Sequence, residues 1–232
     1  MAAKRVLLKL SGESLSDGSS SISADSLSRT VSEIKSAVTR SRVQLAIVIG
    51  AGNIWRGAYK FIERVTADKM GMLVTVMNSL ALSDALAKAG MKSNLFSANG
   101  VSGFAENFNR EKVIRCIEQG NTVIFAGGTG NPFFTTDTTA ALRAAEIKAD
   151  MLLKATQVDG VYSADPKKNK DAVKFNSLTF KEALGKHLKI MDYEAFSLCM
   201  QTNISITVFD FYEDGNLKKV LNGEKIGTIV EA

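Results

Sequence analysis

Three glycine-rich turns each follow a short apolar run, and their residue types suit phosphate binding. They are Ser11-Gly12-Glu13, Gly50-Ala51-Gly52, and the stretch from Gly127 to Asp137, which leads into an alanine-rich helical pattern. Glycine lets backbone amides approach a ligand closely, and a helix start supplies free N–H groups and a positive dipole end. An ordinary strand-to-helix connection with a Thr/Asp cap explains the third turn alone about as well. Three such turns together indicate two phosphorylated ligands, a donor and an acceptor.

Cationic side chains stand beside these turns. Lys9 ends the run before the first turn, Arg56 follows the second, and Lys154 ends a later apolar run. A lysine within a buried parallel strand is unfavourable unless its charge has a partner, so a functional role is favoured over a structural one. Phosphoryl transfer mainly needs positioning and charge neutralisation, which such groups supply.

Four further side chains each have a functional interpretation and an ordinary structural one. Asp137 could orient Lys9 and Lys154 or help to hold a metal ion, or it could simply cap a helix. Asp68 could accept hydrogen bonds from ribose hydroxyls, or be an ordinary acid in a first helical turn. Tyr162 and Asp165 lie beside turns and could frame a base and a ribose, or be plain loop residues.

Several classes of site are excluded by composition. His187 is the only histidine, which rules out a His-based triad and a multi-histidine metal site. Cys116 and Cys199 lie far apart without neighbouring cysteines, so we expect buried, reduced thiols. The sequence contains neither the Gly-x-x-x-x-Gly-Lys-Ser/Thr phosphate loop nor the three-glycine dinucleotide loop.

The net charge and the length of the apolar runs indicate which partners and which cellular location to expect. The net charge of +5 and pI of about 9.1 allow acidic partners, but the basic residues are scattered, so we expect no nucleic-acid binding. The run Val6 to Leu8 is too short for a signal peptide, and the longest apolar runs have the length of strands. We therefore expect a cytoplasmic protein without a membrane span.

Strand-like and helical patterns alternate along the 232 residues, with no linker. This predicts one α/β domain over residues 1–232, with a mainly parallel sheet and helices on both faces. Because ligands bind at the carboxyl ends of parallel strands, we expect the three turns to share one crevice. The apolar pattern from Asp68 to Ala89 covers more than one stripe, which predicts a helix buried by the sheet and by another subunit.

The turns and their flanking residues resemble the bacterial UMP kinase family of the amino-acid-kinase superfamily. The similar segments run in order through nearly the whole chain, and the Gly-Thr-Gly-Asn-Pro-Phe-Phe-Thr-Thr-Asp segment is specific to that family; they are 9–13, 50–57, 68–72, 128–137 and 154–161. The resemblance implies a three-layer αβα sandwich of the carbamate-kinase-like fold. It also implies transfer of a phosphoryl group from ATP to UMP with Mg²⁺ held mainly by the nucleotide phosphates, UTP as feedback inhibitor, and a homohexamer built from dimers.

The same resemblance assigns the site residues. Lys9, Arg56, Asp137 and Lys154 would be catalytic. The residues expected to bind ATP are Lys9, Leu10, Ser11, Gly12, Gly52, Arg56, Thr156, Tyr162 and Asp165. The residues expected to surround UMP are Ala51, Asp68, Thr129, Gly130, Asn131, Pro132, Phe133, Phe134, Thr135 and Thr136.

Two departures from the family pattern stand out. The family usually has glycine at Ala51, and we expect alanine to be tolerated there if its φ is negative. The serine-rich loop from Ser14 to Ser21 is shorter than the segment linked to GTP activation in the family, which argues against GTP control. A nucleotide-sensing protein without turnover is the alternative function, although a sensor has no need for the full set of Lys9, Arg56, Asp137 and Lys154.

Overall fold

Apolar, β-branched runs form the strands of the protein in a computed structural model, which describes residues 4–39, 41–56, 61–166 and 168–232. Gly57, the last residue of the second motif, lies outside the described residues. The strands are β1 Lys4–Leu10, β2 Val43–Ile49, β3 Ser93–Ser97, β4 Glu106–Asn107, β5 Thr122–Ala126, β6 Met151–Thr156, β7 Val161–Tyr162, β8 Lys174–Phe175, β9 Ser177–Thr179, β10 Ser205–Asp210 and β11 Thr228–Glu231.

Within the described residues, nine of these strands form one sheet in the order β4-β3-β5-β2-β1-β6-β10-β11-β9. All neighbouring pairs are parallel except β10 and β11. Strands β7 and β8 form a separate antiparallel pair. The mainly parallel sheet predicted from the alternating pattern is confirmed, and the carboxyl ends of β1, β2, β5 and β6 lie at one edge.

Helices cover both faces of the sheet, as predicted. They are α1 Ala24–Val38, α2 Arg64–Lys88, α3 Arg110–Glu118, α4 Thr136–Glu146, α5 Phe180–Gly185, α6 Tyr193–Thr202 and α7 Asn216–Leu221, with a 3₁₀ turn at Gly12–Leu15. One apolar core lies between the sheet and α3 to α6, and the other between the sheet and α1, α2 and α7. Alternate residues of each strand supply the two cores, as the period of a strand requires. The free cysteines Cys116 and Cys199 are buried in the first core, as expected.

Helix α2 differs from its prediction in two ways. It begins at Arg64 instead of Asp68, because Glu63 accepts a hydrogen bond from the Thr66 amide and caps it. It is also long and apolar enough on average to cross a membrane by length and composition, which the short uninterrupted apolar runs of the sequence did not indicate; a helix packed in a protein core passes the same test. One face of α2 packs on β2, β3 and β5.

The outer face of α2 carries an exposed apolar stripe. Leu73 is 57% exposed, Met77 52% and Leu80 37%, and their spacing puts them on one side of the helix. Solvent-exposed apolar stripes of this kind mark surfaces that are covered by a partner. The predicted burial of α2 against the sheet is therefore confirmed within this chain. Its predicted burial by another subunit stays a prediction.

Candidate active site

Two lysines lie side by side at the carboxyl edge of the sheet. The parallel register of β1 and β6 pairs Lys9 with Lys154 directly. Both follow apolar residues that enter the core under α4, and their side chains are only 14% and 17% exposed. Two ammonium groups this close repel each other, so the arrangement requires a shared counter-charge.

Asp137 supplies that charge from the first turn of α4. Its Oδ2 accepts a hydrogen bond from Lys154 Nζ at 2.7 Å, and its Oδ1 lies 3.1 Å from Lys9 Nζ. The Lys9 contact is an ion pair without hydrogen-bond alignment, which leaves the buried Oδ1 without a hydrogen bond among the described residues. Thr135, not Asp137, is the helix cap: its hydroxyl accepts from the amides of Asp137 and Thr138. The carboxylate of Asp137 is therefore not used to cap the helix and pairs with the lysines instead.

The electrostatics of the three groups follow from this geometry. Burial by itself would raise the pKa of Asp137, but the positive charges of Lys9 and Lys154 outweigh it and hold that pKa below its usual value. Burial lowers the pKa of Lys154, and the neighbouring Lys9 charge lowers it further, whereas Asp137 opposes both. The lowered pKa favours the ionised form of the Asp137 carboxylate, and its charge opposes the loss of the proton from Lys154.

The three glycine turns meet at this edge. A Cβ on Gly12 would lie 2.7 Å from the Gly50 carbonyl oxygen and 2.9 Å from the Gly52 amide nitrogen, too close for any side chain. A Cβ on Gly50 would lie 3.3 Å from Thr136 Oγ1, at the end of the third turn. The first, second and third turns are therefore in contact, and the single crevice expected from the sequence is present.

One cavity opens between the second and third turns and the start of α2. Its volume is about 250 Å³. Of the residues expected to surround UMP, it is lined by Ala51, Asp68, Thr129, Phe134, Thr135 and Thr136. Gly130, Asn131, Pro132 and Phe133 do not line it, and Gly52 and Arg56, expected on the ATP side, do. We call this the acceptor cavity.

Two further cavities are lined by the lysines, neither of which lines the acceptor cavity. The first, of about 260 Å³, is lined by Lys9, Leu10, Ser11, Lys154 and Thr156. The second, of about 490 Å³, shares Lys154 and Thr156 with it and adds Tyr162 and Asp165. Lys154 and Thr156 thus connect the smaller space to the larger one beside the Tyr162 ring, and we call these two spaces together the donor cavities.

Two predicted site residues already have partners in the chain. Arg56 Nη2 pairs with Glu13 Oε1 at 2.7 Å, and its Nε donates to the Gly52 carbonyl. The carboxylate of Asp68 pairs with Arg64 at 2.8 Å and accepts from the Phe133 amide at 2.7 Å. Asp68 therefore ties the start of α2 to the third turn, in addition to lining the acceptor cavity.

Backbone conformation at two turn residues bears on the acceptor cavity. Among the described residues, Phe133 has a φ of 74°, a left-handed conformation that its hydrogen bond to Asp68 helps to hold. Ala51 is not among the non-glycine residues with positive φ, so the condition for tolerating alanine there is met.

Two contributions to the site were missed from the sequence. The Ile190 carbonyl accepts a second hydrogen bond from Lys154 Nζ at 2.7 Å. Asp192 caps α6 by accepting from the Ala195 amide, and its other oxygen accepts from the hydroxyls of Thr138 and Thr135. The sequence indicated only a helix start at Asp192, because its longer-range bonds depend on how α6 packs against α4.

Comparisons with known proteins agree with this geometry. The model of the amino acid kinase family matches residues 4–210. UMP kinase from Bacillus anthracis has a TM-score of 0.95 with 36% identity, over 100% of this chain and 97% of that one. UMP kinase from Ureaplasma parvum gives 0.94 and 35%, over 100% of both chains. Uridylate kinase from Archaeoglobus fulgidus gives 0.74 and 28%, over 97% of this chain and 99% of that one.

Proposed function

The chain belongs to the amino acid kinase family, and we propose that it transfers the γ-phosphoryl group of ATP to UMP, giving ADP and UDP. The observation that carries this function is the similarity of the whole chain to bacterial UMP kinases. It is supported by an acceptor cavity and by two donor cavities that are lined by one or both lysines. In phosphoryl transfer the donor and the acceptor phosphates approach each other in line, and nearby positive charges stabilise the transferring group.

The reaction needs no strong base. The second pKa of a phosphate monoester is about 6, so the phosphate of UMP is already a dianion at neutral pH and its oxygen can attack the γ-phosphorus directly. The bond to the β-phosphate oxygen then breaks and ADP leaves. Lys9 and Lys154 neutralise the charge on the transferring group, and Asp137 holds both ammonium groups toward it.

We assign the two nucleotides to the two sides of the lysine pair. The first turn, with Ser11 and Gly12, is proposed to bind the ATP phosphates, and Thr156, Tyr162 and Asp165 the adenosine. The acceptor cavity is proposed to bind UMP, with the third turn around its base and Asp68 near its ribose. Arg56 would leave Glu13 and bridge the transferring phosphates, which is possible because neither side chain of this ion pair is buried.

Mg²⁺ is proposed to enter with ATP. Among the described residues there is no group of three or more His, Cys, Asp or Glu side chains suited to a metal ion. This fits Mg²⁺, which is commonly held by substrate phosphates with one or two carboxylates. Asp137, whose Oδ1 lies 3.1 Å from Lys9 Nζ, is the carboxylate at this edge of the sheet that would assist, and the ion would supply further neutralisation of phosphate charge.

Two regulatory and cellular properties complete the proposal. UTP carries the same base and ribose as UMP, so the contacts of the acceptor cavity would also admit it as a feedback inhibitor. Such an enzyme would work in the cytoplasm, in the synthesis of pyrimidine nucleotides.

The central experiment measures ADP release in a coupled assay with ATP, Mg²⁺ and one acceptor at a time. We expect UMP to be the preferred acceptor over CMP, dTMP and carbamate, because the third turn lines the cavity that would hold its base. ADP release that does not depend on any acceptor, or that is equal or faster with another one, would contradict the assignment. Nucleotide binding without turnover would instead favour a nucleotide sensor.

Self-association is proposed to use the exposed stripe of Leu73, Met77 and Leu80, with a hexamer built from such dimers. We expect Met77→Glu to raise the dissociation constant of the dimer at least about tenfold, because a charge buried without a partner costs upward of about 1.4 kcal/mol. Sedimentation velocity over a concentration series measures the change. Val173→Glu, which alters an exposed apolar residue outside α2, is the control. An unchanged assembly state in Met77→Glu would show that another surface mediates association.

A further inference from the structure

Helix α2 contacts two of the three glycine turns through polar side chains on its buried face. Thr75 Oγ1 accepts a hydrogen bond from the Gly127 amide at 2.8 Å, in the third turn. Asn78 Nδ2 donates to the Gly50 carbonyl at 2.8 Å, in the second turn. The two residues are three apart, which puts them on the same side of the helix, and Asn78 has no exposed surface.

Asn78 also reaches the first turn through Asn53. The two side-chain amides bond reciprocally, with Asn78 Nδ2 donating to Asn53 Oδ1 at 2.8 Å and Asn53 Nδ2 donating back at 3.0 Å. Asn53 Nδ2 donates in addition to the Ser21 carbonyl at 2.7 Å. Gly12 packs so tightly against Asn53 Oδ1 that no Cβ would fit between them. The first turn therefore rests on a side chain that Asn78 holds.

A buried amide is unfavourable on an apolar helix face unless its hydrogen bonds are made. The neighbouring Ser79 is a contrast, because its buried hydroxyl has no hydrogen-bond partner among the described residues. The bonds of Asn78 and Thr75 are directed at the backbone of the turns and at the Asn53 side chain instead of at the helix itself, apart from one bond from Thr75 to the Met72 carbonyl. The polar groups of these two side chains therefore bind the turns.

We propose that Asn78 and Thr75 are positioning residues, which fix the separation of the donor and acceptor phosphates by anchoring the turns to one rigid helix; this role rests on the proposed kinase activity. Asn78 sets the first and second turns, and Thr75 sets the third. In-line transfer depends on the distance between reacting atoms, and a displacement of about 1 Å can lower the rate about a hundredfold. Neither residue needs to touch the reacting atoms to control that distance.

The first pair of variants tests the Asn78 anchor from both sides. We expect Asn78→Ala to lower kcat/KM for ATP at least about tenfold, with a raised KM for ATP, since the donor turn loses its support. Asn53→Ala removes the same amide pair from a less buried position, where loss of folding is a smaller concern, and we expect the same pattern. The effect of the double variant should be smaller than the sum of the two single effects, because both substitutions remove the shared amide pair; each also removes one bond of its own, to the Gly50 or the Ser21 carbonyl.

The second pair tests the Thr75 anchor. Thr75→Val keeps the shape but loses the hydroxyl, and we expect a rise of about tenfold in KM for UMP with a smaller change in KM for ATP. Thr75→Ser keeps the hydroxyl and should restore kinetics to within about twofold of the unaltered protein. A general loss of stability would not separate the two Michaelis constants in this way. Because Thr75 also lines the acceptor cavity, a positioning role further requires that Thr75→Val lower kcat at saturating UMP, which the loss of a contact used only in binding would not do.

Ser79→Ala is the matched control, because it removes a buried polar atom from the same helix without removing any hydrogen bond that the described residues make. Its kinetics should equal those of the unaltered protein, and thermal unfolding of every variant reports the folded fraction. Unchanged Michaelis constants in Asn53→Ala and Thr75→Val, or losses that only follow the folded fraction, would overturn the inference. If the unaltered protein itself does not phosphorylate UMP, the proposed function fails instead.

Discussion

Replacement of Lys9 by alanine is expected to lower kcat about a hundredfold or more. The change removes one of two ammonium groups held at the boundary between the donor and acceptor cavities, and preorganised charge contacts of this kind contribute about two to three orders of magnitude to the rate. The measurement is steady-state turnover of ATP and UMP at saturation of both substrates. The fold should persist, because alanine relieves the repulsion between Lys9 and Lys154 and leaves Asp137 paired with Lys154.

Lys4→Ala is the control for this substitution. Lys4 lies at the opposite end of the same strand, where its loss alters the net charge equally without touching the crevice. We expect its turnover to match that of the unaltered protein. If Lys9→Ala turned over within about threefold of the unaltered protein, the catalytic assignment of Lys9 would be wrong.

Replacement of Asp137 by asparagine is expected to lower kcat by a similar or larger factor and to destabilise the fold by about 3 kcal/mol. The two lysines would then lie side by side without a counter-charge, and removing one partner from a largely buried ion pair is strongly destabilising. The variant should also differ from the unaltered protein in the pH dependence of its activity. Since Asp137 is the main group that raises the pKa of Lys154 against burial, with a smaller contribution from Asp192, the variant should lose activity at a lower pH on the alkaline side than the unaltered protein does.

Asp25→Asn controls for the position of Asp137 in a helix. Asp25 also occupies a first helical turn, that of α1, but it is exposed. Its loss should cost only a few tenths of a kcal/mol through the helix dipole, with unchanged kinetics. Equal effects of the two substitutions on stability, or an unshifted alkaline limb in Asp137→Asn, would count against the role of Asp137 as the shared counter-charge.

The general form of the site could be predicted from the sequence because its parts are local. Each glycine turn follows an apolar run, and the rule that parallel strands end at one edge is sufficient to bring Gly12, Gly50 and Gly127 together. The same rule puts Lys9 and Lys154 at that edge. Their direct pairing needs the strand order, which local sequence does not contain, although the expectation that Asp137 orients both lysines agrees with the observed ion pairs.

The parts that were missed are short or depend on distant packing. Strands of two residues such as β7 and β8, and the six-residue helix α7, are too short to give a periodic pattern. The bonds of Asp192 to Thr138 and of Ile190 to Lys154 span 54 and 36 residues, respectively. The start of α2 was misjudged because glutamate is not among the preferred caps, so Glu63 gave no signal.

The direct pairing of Lys9 with Lys154 has a consequence for how this chain can change in length. A strand alternates its side chains, so deleting or inserting one residue within β1 ahead of Lys9 would rotate that lysine to the opposite layer, away from Asp137. The exposed serine-rich segment between the first turn and α1 carries no such constraint. Length variation compatible with activity is therefore confined to segments of that kind, whereas the number of residues between the start of each central strand and its lysine is fixed.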